Sequence, residues 1–219
     1  MPVKVGLHYI DIWNESMEDE VRAYEKEPVL QDQIVFYGPS YFTRWSTRFG
    51  MVPMREALTA PDGTQCVVNR GFGSSCSEHQ LYYYPRMIRP LAPRALVYSS
   101  YANAQAFGYT VEEIWELAQR VIAWARTDFP GIRIYLCGTN PSRDETEKAR
   151  ALALRYDEWL KEFAASHENC FFVDIRSCAE LRRKDIFVED GVHYNQEGYR
   201  LYEAFFRQAL KDELAQYGR

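Results

Sequence analysis

The sequence predicts an α/β protein, a three-layer α/β/α sandwich built on a five-stranded parallel sheet in the order 2-1-3-4-5. Short apolar runs alternate along the chain with longer helical patterns, which calls for right-handed crossovers and helices on both faces of a parallel sheet. Most of the runs end in small or polar residues, as strands do. A chain of 219 residues is long enough for one large domain but too short for two comfortable ones.

Apolar, β-branched and aromatic residues dominate the predicted strands. These strands are placed at 34–37, 65–68, 95–98, 132–137 and 170–173. Because the carboxyl ends of parallel strands share one edge of an open sheet, loops after the strands are expected to form the ligand site.

Helical patterns fill the intervals, at 15–27, 77–89, 110–128, 144–165 and 195–216. Met17, Val21 and Tyr24 lie on one face of the first. The third begins at Thr110, which forms a capping box with Glu113. The stretch from Arg143 to Arg155 is rich in charged residues and predicts a solvated helix. We expect residues 1–30 to form an N-terminal segment and helix that packs on a domain spanning 31–219.

Charge and cysteine content limit the function classes. The net charge is −5 and the basic residues are scattered, so the sequence does not predict the basic patch with which proteins bind nucleic acid. No cysteine pair has CxxC spacing, so reduced thiols are expected at Cys66, Cys76, Cys137, Cys170 and Cys178. The N-terminus lacks a signal-peptide pattern, and no apolar run is long enough for a membrane span. These features predict a cytoplasmic protein with a small-molecule partner, either a monomer or a homo-oligomer.

The segment from Asp190 to His193 carries the first chemical signal. An aspartate three residues before a histidine can accept a hydrogen bond from one ring nitrogen, which leaves the other free to take a proton. Asp-x-x-His also arises when the aspartate is only a helix N-cap. A nucleophile is therefore needed, and Ser40 supplies a candidate because it follows the first strand at a strand-to-helix turn. The alternative is that Ser40 is only an N-cap.

Four motifs of the chain resemble those of the SGNH/GDSL hydrolase family, over a span from about Trp13 to the C-terminus. The matching segments are Gly38-Pro39-Ser40 with Trp45, Asn69-Arg70-Gly71-Phe72-Gly73-Ser74-Ser75, Tyr101-Ala102-Asn103-Ala104 with Gly108, and Asp190, His193, Asn195, Gly198 and Tyr199. The resemblance implies a serine hydrolase that cleaves carboxylic esters of a sugar, an alcohol or a lysophospholipid, with no metal or organic cofactor. Its triad would be Ser40, His193 and Asp190, and its oxyanion donors Ser40, Gly73 or Ser74, and Asn103.

The chain departs from the family pattern beside these positions. Pro39 removes a backbone donor before the nucleophile. Ser74 replaces the glycine whose N–H serves the oxyanion, and serine suits that position only if φ there is not positive. Tyr101 and Ala104 replace the glycine and aspartate around Asn103. The departures leave a second hypothesis open, a catalytically silent protein of the same fold that binds a carbohydrate or a lipid.

Two further alternatives rest on weaker patterns. Cys76 lies close to the proposed oxyanion residues and could act as a nucleophile, although no histidine with a local orienting carboxylate is tied to it in the sequence. The glycines at 71 and 73 form only part of a dinucleotide-binding loop, and no phosphate-binding GxxxxGK[ST] motif occurs.

Overall fold

The computed structural model describes residues 14–218. At its centre is a five-stranded parallel sheet with the order β2-β1-β3-β4-β5, so the predicted fold class and strand order are confirmed. The strands are β1 (Ile34–Gly38), β2 (Val67–Gly71), β3 (Ala95–Tyr98), β4 (Arg133–Cys137) and β5 (Cys170–Val173).

Helices cover both faces of this sheet. They are α1 (Asn14–Glu25), α2 (Ser40–Thr43), α3 (Met54–Ala57), α4 (Ser77–Met87), α5 (Val111–Asp128), α6 (Glu147–Ser166), α7 (Gln196–Ala209) and α8 (Lys211–Leu214). Successive residues of β1 alternate between two cores, because strand side chains point to opposite faces. Val35 and Tyr37 belong to the core under α1, α4, α5 and α6, whereas Ile34 and Phe36 belong to the core under α2, α3, α7 and α8.

Several element boundaries differ from the predicted ones for local reasons. The second strand spans Val67–Gly71 rather than 65–68; the amide of Asn69 donates to Phe42 O at 2.8 Å, so polar residues are satisfied inside the strand. The helix predicted at 144–165 begins at Glu147, because the Thr146 hydroxyl caps it by accepting the Ala149 N–H at 3.1 Å. The last helix is interrupted at Leu210.

Helix α1 packs against α4. Met17 and Val21 are fully buried, and the guanidinium of Arg86 on α4 bonds to Glu18 at 2.7 Å and to Glu25 at 2.8 Å. Trp13, where the family resemblance begins, lies outside the described residues. All five cysteines are free, four of them buried. Within residues 14–218, no helix is long and apolar enough to cross a membrane.

Candidate active site

Ser40 is the first residue of α2 and lies at the carboxyl end of β1. Pro39 precedes it with an extended backbone, φ −82° and ψ −157°, so the proline suits the strand-to-helix turn. The Pro39 carbonyl accepts the Phe42 N–H at 3.0 Å. The N–H of Ser40 lies in the first turn of the helix, where backbone donors have no intrahelical acceptor. This geometry leaves that N–H available to a ligand.

A continuous hydrogen-bond chain links Ser40, His193 and Asp190. Ser40 Oγ lies 2.7 Å from His193 Nε2, and His193 Nδ1 lies 2.7 Å from Asp190 Oδ2. The Asp190 carboxylate can only accept, so Nδ1 carries the proton. Nε2 of the neutral ring is then the acceptor for the Ser40 hydroxyl. This is the arrangement in which a histidine takes the proton of a serine nucleophile.

A tight turn holds Asp190 in place. Its Oδ1 accepts the N–H groups of Val192 and His193, both at 2.9 Å, and Gly191 between them has φ +68°, a conformation that favours glycine. Burial alone would raise the pKa of Asp190, but hydrogen bonds from the His193 ring and from the two backbone N–H groups outweigh it and hold the pKa at about 2. The carboxylate is therefore ionised at neutral pH.

Burial also sets the protonation state of His193. Its pKa is lowered because the ring is desolvated, and the Arg44 guanidinium, whose Nη2 lies 3.8 Å from Asp190 Oδ2, lowers it further. The hydrogen bond to Asp190 acts in the opposite direction without reversing the shift. A neutral imidazole is the form that can act as a base. No sequence motif pointed to Arg44.

Two further side chains fix the turn around Asp190, and both were missed from sequence. The Tyr41 hydroxyl donates to Val192 O at 2.7 Å. The Arg143 guanidinium donates to Val188 O at 3.2 Å and to Glu189 O at 3.0 Å. The expectation that Arg143 belongs to a solvated helix is wrong, because α6 begins after it at Glu147.

The β2 loop, residues 72–75, follows the second strand and holds two of the predicted oxyanion donors. It is a tight turn in which Ser75 N–H donates to Phe72 O at 3.4 Å. Ser74 has φ +59°, so serine occupies the left-handed conformation that glycine adopts more easily. The condition for a serine here, that φ is not positive, is not met. Ser74 therefore has a backbone conformation that is strained for a residue with a Cβ.

The two backbone donors of this turn differ in availability. Gly73 N–H donates to the carboxylate of Glu20 on α1 at 2.9 Å, so it already has an anionic acceptor. Ser74 N–H makes no hydrogen bond within the part of the chain that the structure describes. Of the two candidates, Ser74 is the donor that a substrate oxygen can use.

Hydrogen bonds connect the loops that carry the candidate residues. Phe72 N–H donates to Gly38 O at 3.0 Å, which joins the β2 loop to the turn before Ser40. The Asn103 amide donates to Ser75 O at 2.8 Å, which joins the loop after β3 to the β2 loop. The structure thus brings Ser40, His193 and Asp190 into direct contact and ties Asn103 to the turn at Ser74.

A groove of about 970 Å³ lies beside β2; it reaches the candidate site at Gly73 and Ser74, and neither Ser40 nor His193 lines it. Side chains from 16–30, 43–55 and 67–74 line it, and both Gly73 and Ser74 are among them. Its volume falls in the range of small-molecule sites. Among residues 14–218 no group of three His, Cys, Asp or Glu side chains could hold a metal ion.

Cys76 does not have the properties of a nucleophile. Its thiol is fully buried, and burial raises its pKa to about 11, so the thiolate is scarce at neutral pH. His79 Nδ1 lies 3.2 Å from Cys76 Sγ, a contact that the sequence spacing did not reveal. Since the same ring nitrogen also accepts the Cys76 N–H at 3.3 Å, His79 caps the start of α4.

Comparison with known proteins agrees with the fold. A GDSL-like lipase from Bacteroides thetaiotaomicron has a TM-score of 0.67 and 19% identity, covering 90% of this chain and 98% of its own. A lipase/acylhydrolase from Enterococcus faecalis has a TM-score of 0.66 and 19% identity, covering 84% and 97%. An acetyl xylan esterase has a TM-score of 0.64 and 16% identity, covering 81% and 99%. No curated protein matched the sequence.

The family comparison goes further than the structural likeness. A model of the GDSL-like lipase/acylhydrolase family matches residues 36–201, a stretch that includes both Ser40 and the Asp190–His193 turn. The match covers well over half of the chain, so this protein belongs to the GDSL-like lipase/acylhydrolase family.

Proposed function

We propose that this protein is a serine esterase that hydrolyses carboxylic esters through an acyl-enzyme on Ser40. The observation that carries the proposal is the hydrogen-bond chain from Ser40 Oγ through His193 to Asp190, with 2.7 Å at each step. Serine and histidine side chains at a protein surface do not require such a chain. The turn at Asp190 holds its carboxylate in position to bond to the His193 ring. Membership of an acylhydrolase family supports the same reaction class.

Ser40, His193 and Asp190 have distinct roles in the reaction. Ser40 Oγ attacks the ester carbonyl carbon while its proton passes to His193 Nε2. His193 then gives that proton to the leaving alkoxide, so the alcohol departs and the acyl group stays on Ser40. A water molecule, deprotonated by His193, attacks the acyl-enzyme and releases the carboxylic acid with a free Ser40 hydroxyl. Asp190 stabilises the charged ring at each stage.

The tetrahedral oxyanion needs hydrogen-bond donors. We assign this role to the N–H groups of Ser40 and Ser74 and to the side-chain amide of Asn103. Such a donor typically lowers the barrier by about 3–4 kcal/mol, because it bonds to charge that develops in the transition state. Gly73 is left out of the set because its N–H is already bonded to Glu20.

The groove beside the β2 loop meets the proposed site at Gly73 and Ser74. Its lining includes the carboxylates of Asp19 and Glu20 and the guanidinium of Arg48 together with apolar residues. This mixed lining does not distinguish among esters of sugars, alcohols and lysophospholipids. A panel of p-nitrophenyl esters of increasing chain length, followed by acetylated sugars, distinguishes among them.

A fluorophosphonate probe tests the proposal. We expect one covalent label per chain, and Ser40→Ala should abolish both labelling and ester turnover. Folded wild-type protein that resists the probe at high concentration, or a Ser40→Ala variant that is still labelled, contradicts the proposal. Ligand binding without turnover would instead support the silent binding protein as the alternative. The intact chain from Ser40 to Asp190 argues against that alternative.

A further inference from the structure

Helix α1 contacts the end of β2 and the β2 loop through one polar stripe. The stripe consists of Glu20 and Tyr24 on the helix and Glu27 just after it. Glu20 and Tyr24 are spaced i, i+4, so they lie on one helix face, and Glu27 follows two residues after the helix ends. All three lie outside the segment 36–201 that matches the family model. The stripe therefore lies before the segment that the family model matches.

Each member of the stripe bonds to a different point of the segment Arg70–Gly73. Glu20 Oε2 accepts Gly73 N–H at 2.9 Å, and the Tyr24 hydroxyl donates to Gly71 O at 2.6 Å. Glu27 Oε2 accepts from Arg70 Nη1 at 2.7 Å. The Arg70 guanidinium also lies over the Tyr24 ring, 4.7 Å from its centroid. The segment is thus held from one side along its whole length.

The contact at Gly73 places a carboxylate beside the candidate oxyanion site. Burial raises the pKa of Glu20, while the hydrogen bond from Gly73 and the charge of Arg48 act to lower it. A negative charge next to the position of an oxyanion opposes catalysis on electrostatic grounds alone. Any benefit of this contact to catalysis must therefore come from the geometry that it imposes on the loop.

Ser74 is where the geometry of the loop needs support. Its φ of +59° is unfavourable for a residue with a Cβ, and strained backbone persists only where surrounding contacts determine it. The Gly73 N–H and the Phe72 carbonyl belong to one rigid peptide plane, and the Phe72 carbonyl of that plane accepts Ser75 N–H at 3.4 Å. A hydrogen bond that fixes this plane therefore restricts the turn 72–75, whose central peptide carries the N–H of Ser74.

We propose that Glu20 is a positioning residue for the oxyanion hole: by accepting Gly73 N–H it holds the β2 loop so that Ser74 N–H points at the reacting carbonyl. This inference rests on the proposed esterase function. What matters in Glu20 is its hydrogen-bond acceptor, because its charge works against the oxyanion. The contacts of the stripe help to hold the left-handed backbone that a serine at position 74 disfavours.

Three variants test the proposal. Glu20→Ala should lower kcat by about 10-fold, with KM changed less than twofold, since a small misplacement of a positioned group can cost up to about 100-fold. Glu20→Gln keeps an acceptor oxygen without the charge and should retain kcat at or above the wild-type value. Glu15→Ala, which removes an exposed carboxylate from the same helix, is the matched control and should behave as wild type.

Hydrogen–deuterium exchange at the Gly73 amide gives a readout that does not depend on turnover. Glu20→Ala should speed this exchange by at least about 10-fold, whereas Glu15→Ala and Glu20→Gln should leave it close to wild type. If wild-type protein hydrolyses no ester, the proposed function fails, and the exchange still reports whether Glu20 holds the loop. Unchanged kcat in Glu20→Ala, or equal losses in the alanine and glutamine variants, overturns the inference.

Discussion

Replacement of Ser74 by glycine should stabilise the protein without loss of activity. The left-handed conformation at φ +59° costs an L-residue about 1–2 kcal/mol. Glycine removes that cost but adds about 0.5–1 kcal/mol of backbone entropy in the unfolded chain. The Ser74 side chain makes no hydrogen bond within residues 14–218, so none is lost there. The net gain is about 0.5–1 kcal/mol.

Thermal and urea unfolding measure this gain. For a chain of this size, about 1 kcal/mol corresponds to a rise in Tm of roughly 2–4 °C, and kcat should stay close to wild type because the peptide N–H is retained. The control is Ser46→Gly, where φ is −153° and no strain is relieved; that variant should lose stability through backbone entropy and through loss of the Ser46 hydroxyl bond to Thr43 O at 3.1 Å. Ser74→Pro should abolish activity, because proline deletes the N–H and cannot adopt positive φ. A lower Tm for Ser74→Gly than for wild type would refute the reasoning.

Four further predictions concern the polar groups of the candidate site. Asp190→Asn should keep the fold but lower kcat by up to about 10⁴, because the ring tautomer is no longer controlled; a loss below tenfold in steady-state assays would contradict this. The kcat/KM profile should rise with pH through an apparent pKa below the ordinary histidine value of about 6.5, since the neutral ring is the base and burial lowers the pKa of His193. Arg44→Gln should move that limb to higher pH by removing a positive charge, and a limb that stays in place or moves lower would argue against the assignment. Asn103→Ala should lower kcat by roughly 10²–10³ with little change in KM; turnover indifferent to this change would place the oxyanion elsewhere.

The order of the sheet and most helices could be predicted because their signals are local. Alternating apolar runs and helical periodicity identify strands and helices from neighbouring residues. The capping box of Thr110 and Glu113 marked the start of α5, and the Thr110 hydroxyl accepts Glu113 N–H at 3.2 Å as expected. The predicted element boundaries were wrong where polar groups inside an element bond to a distant partner. One example is Asn69 in β2, whose amide donates to Phe42 O.

The residues of the hydrogen-bond chain were also named from sequence, since Ser40, Asp190 and His193 lie in motifs whose spacing is itself the signal. Their catalytic roles stay a prediction. The strain at Ser74 could not be foreseen in the same way, because the sign of φ depends on the turn that the loop adopts. Pro39 suits its position for a comparable reason: the extended backbone there is set by the strand-to-helix turn.

The sequence by itself therefore determined the fold class, the strand order and the set of polar residues at the carboxyl edge of the sheet. Only the tertiary structure decided which backbone N–H of the β2 loop is left without an acceptor in the described residues. It also decided that Glu20 and Arg143 bond to loops that are distant from them in the chain. The physical reason is that periodicity and capping act between neighbours. Pairing of donors with acceptors at a sheet edge depends on which distant loops meet there.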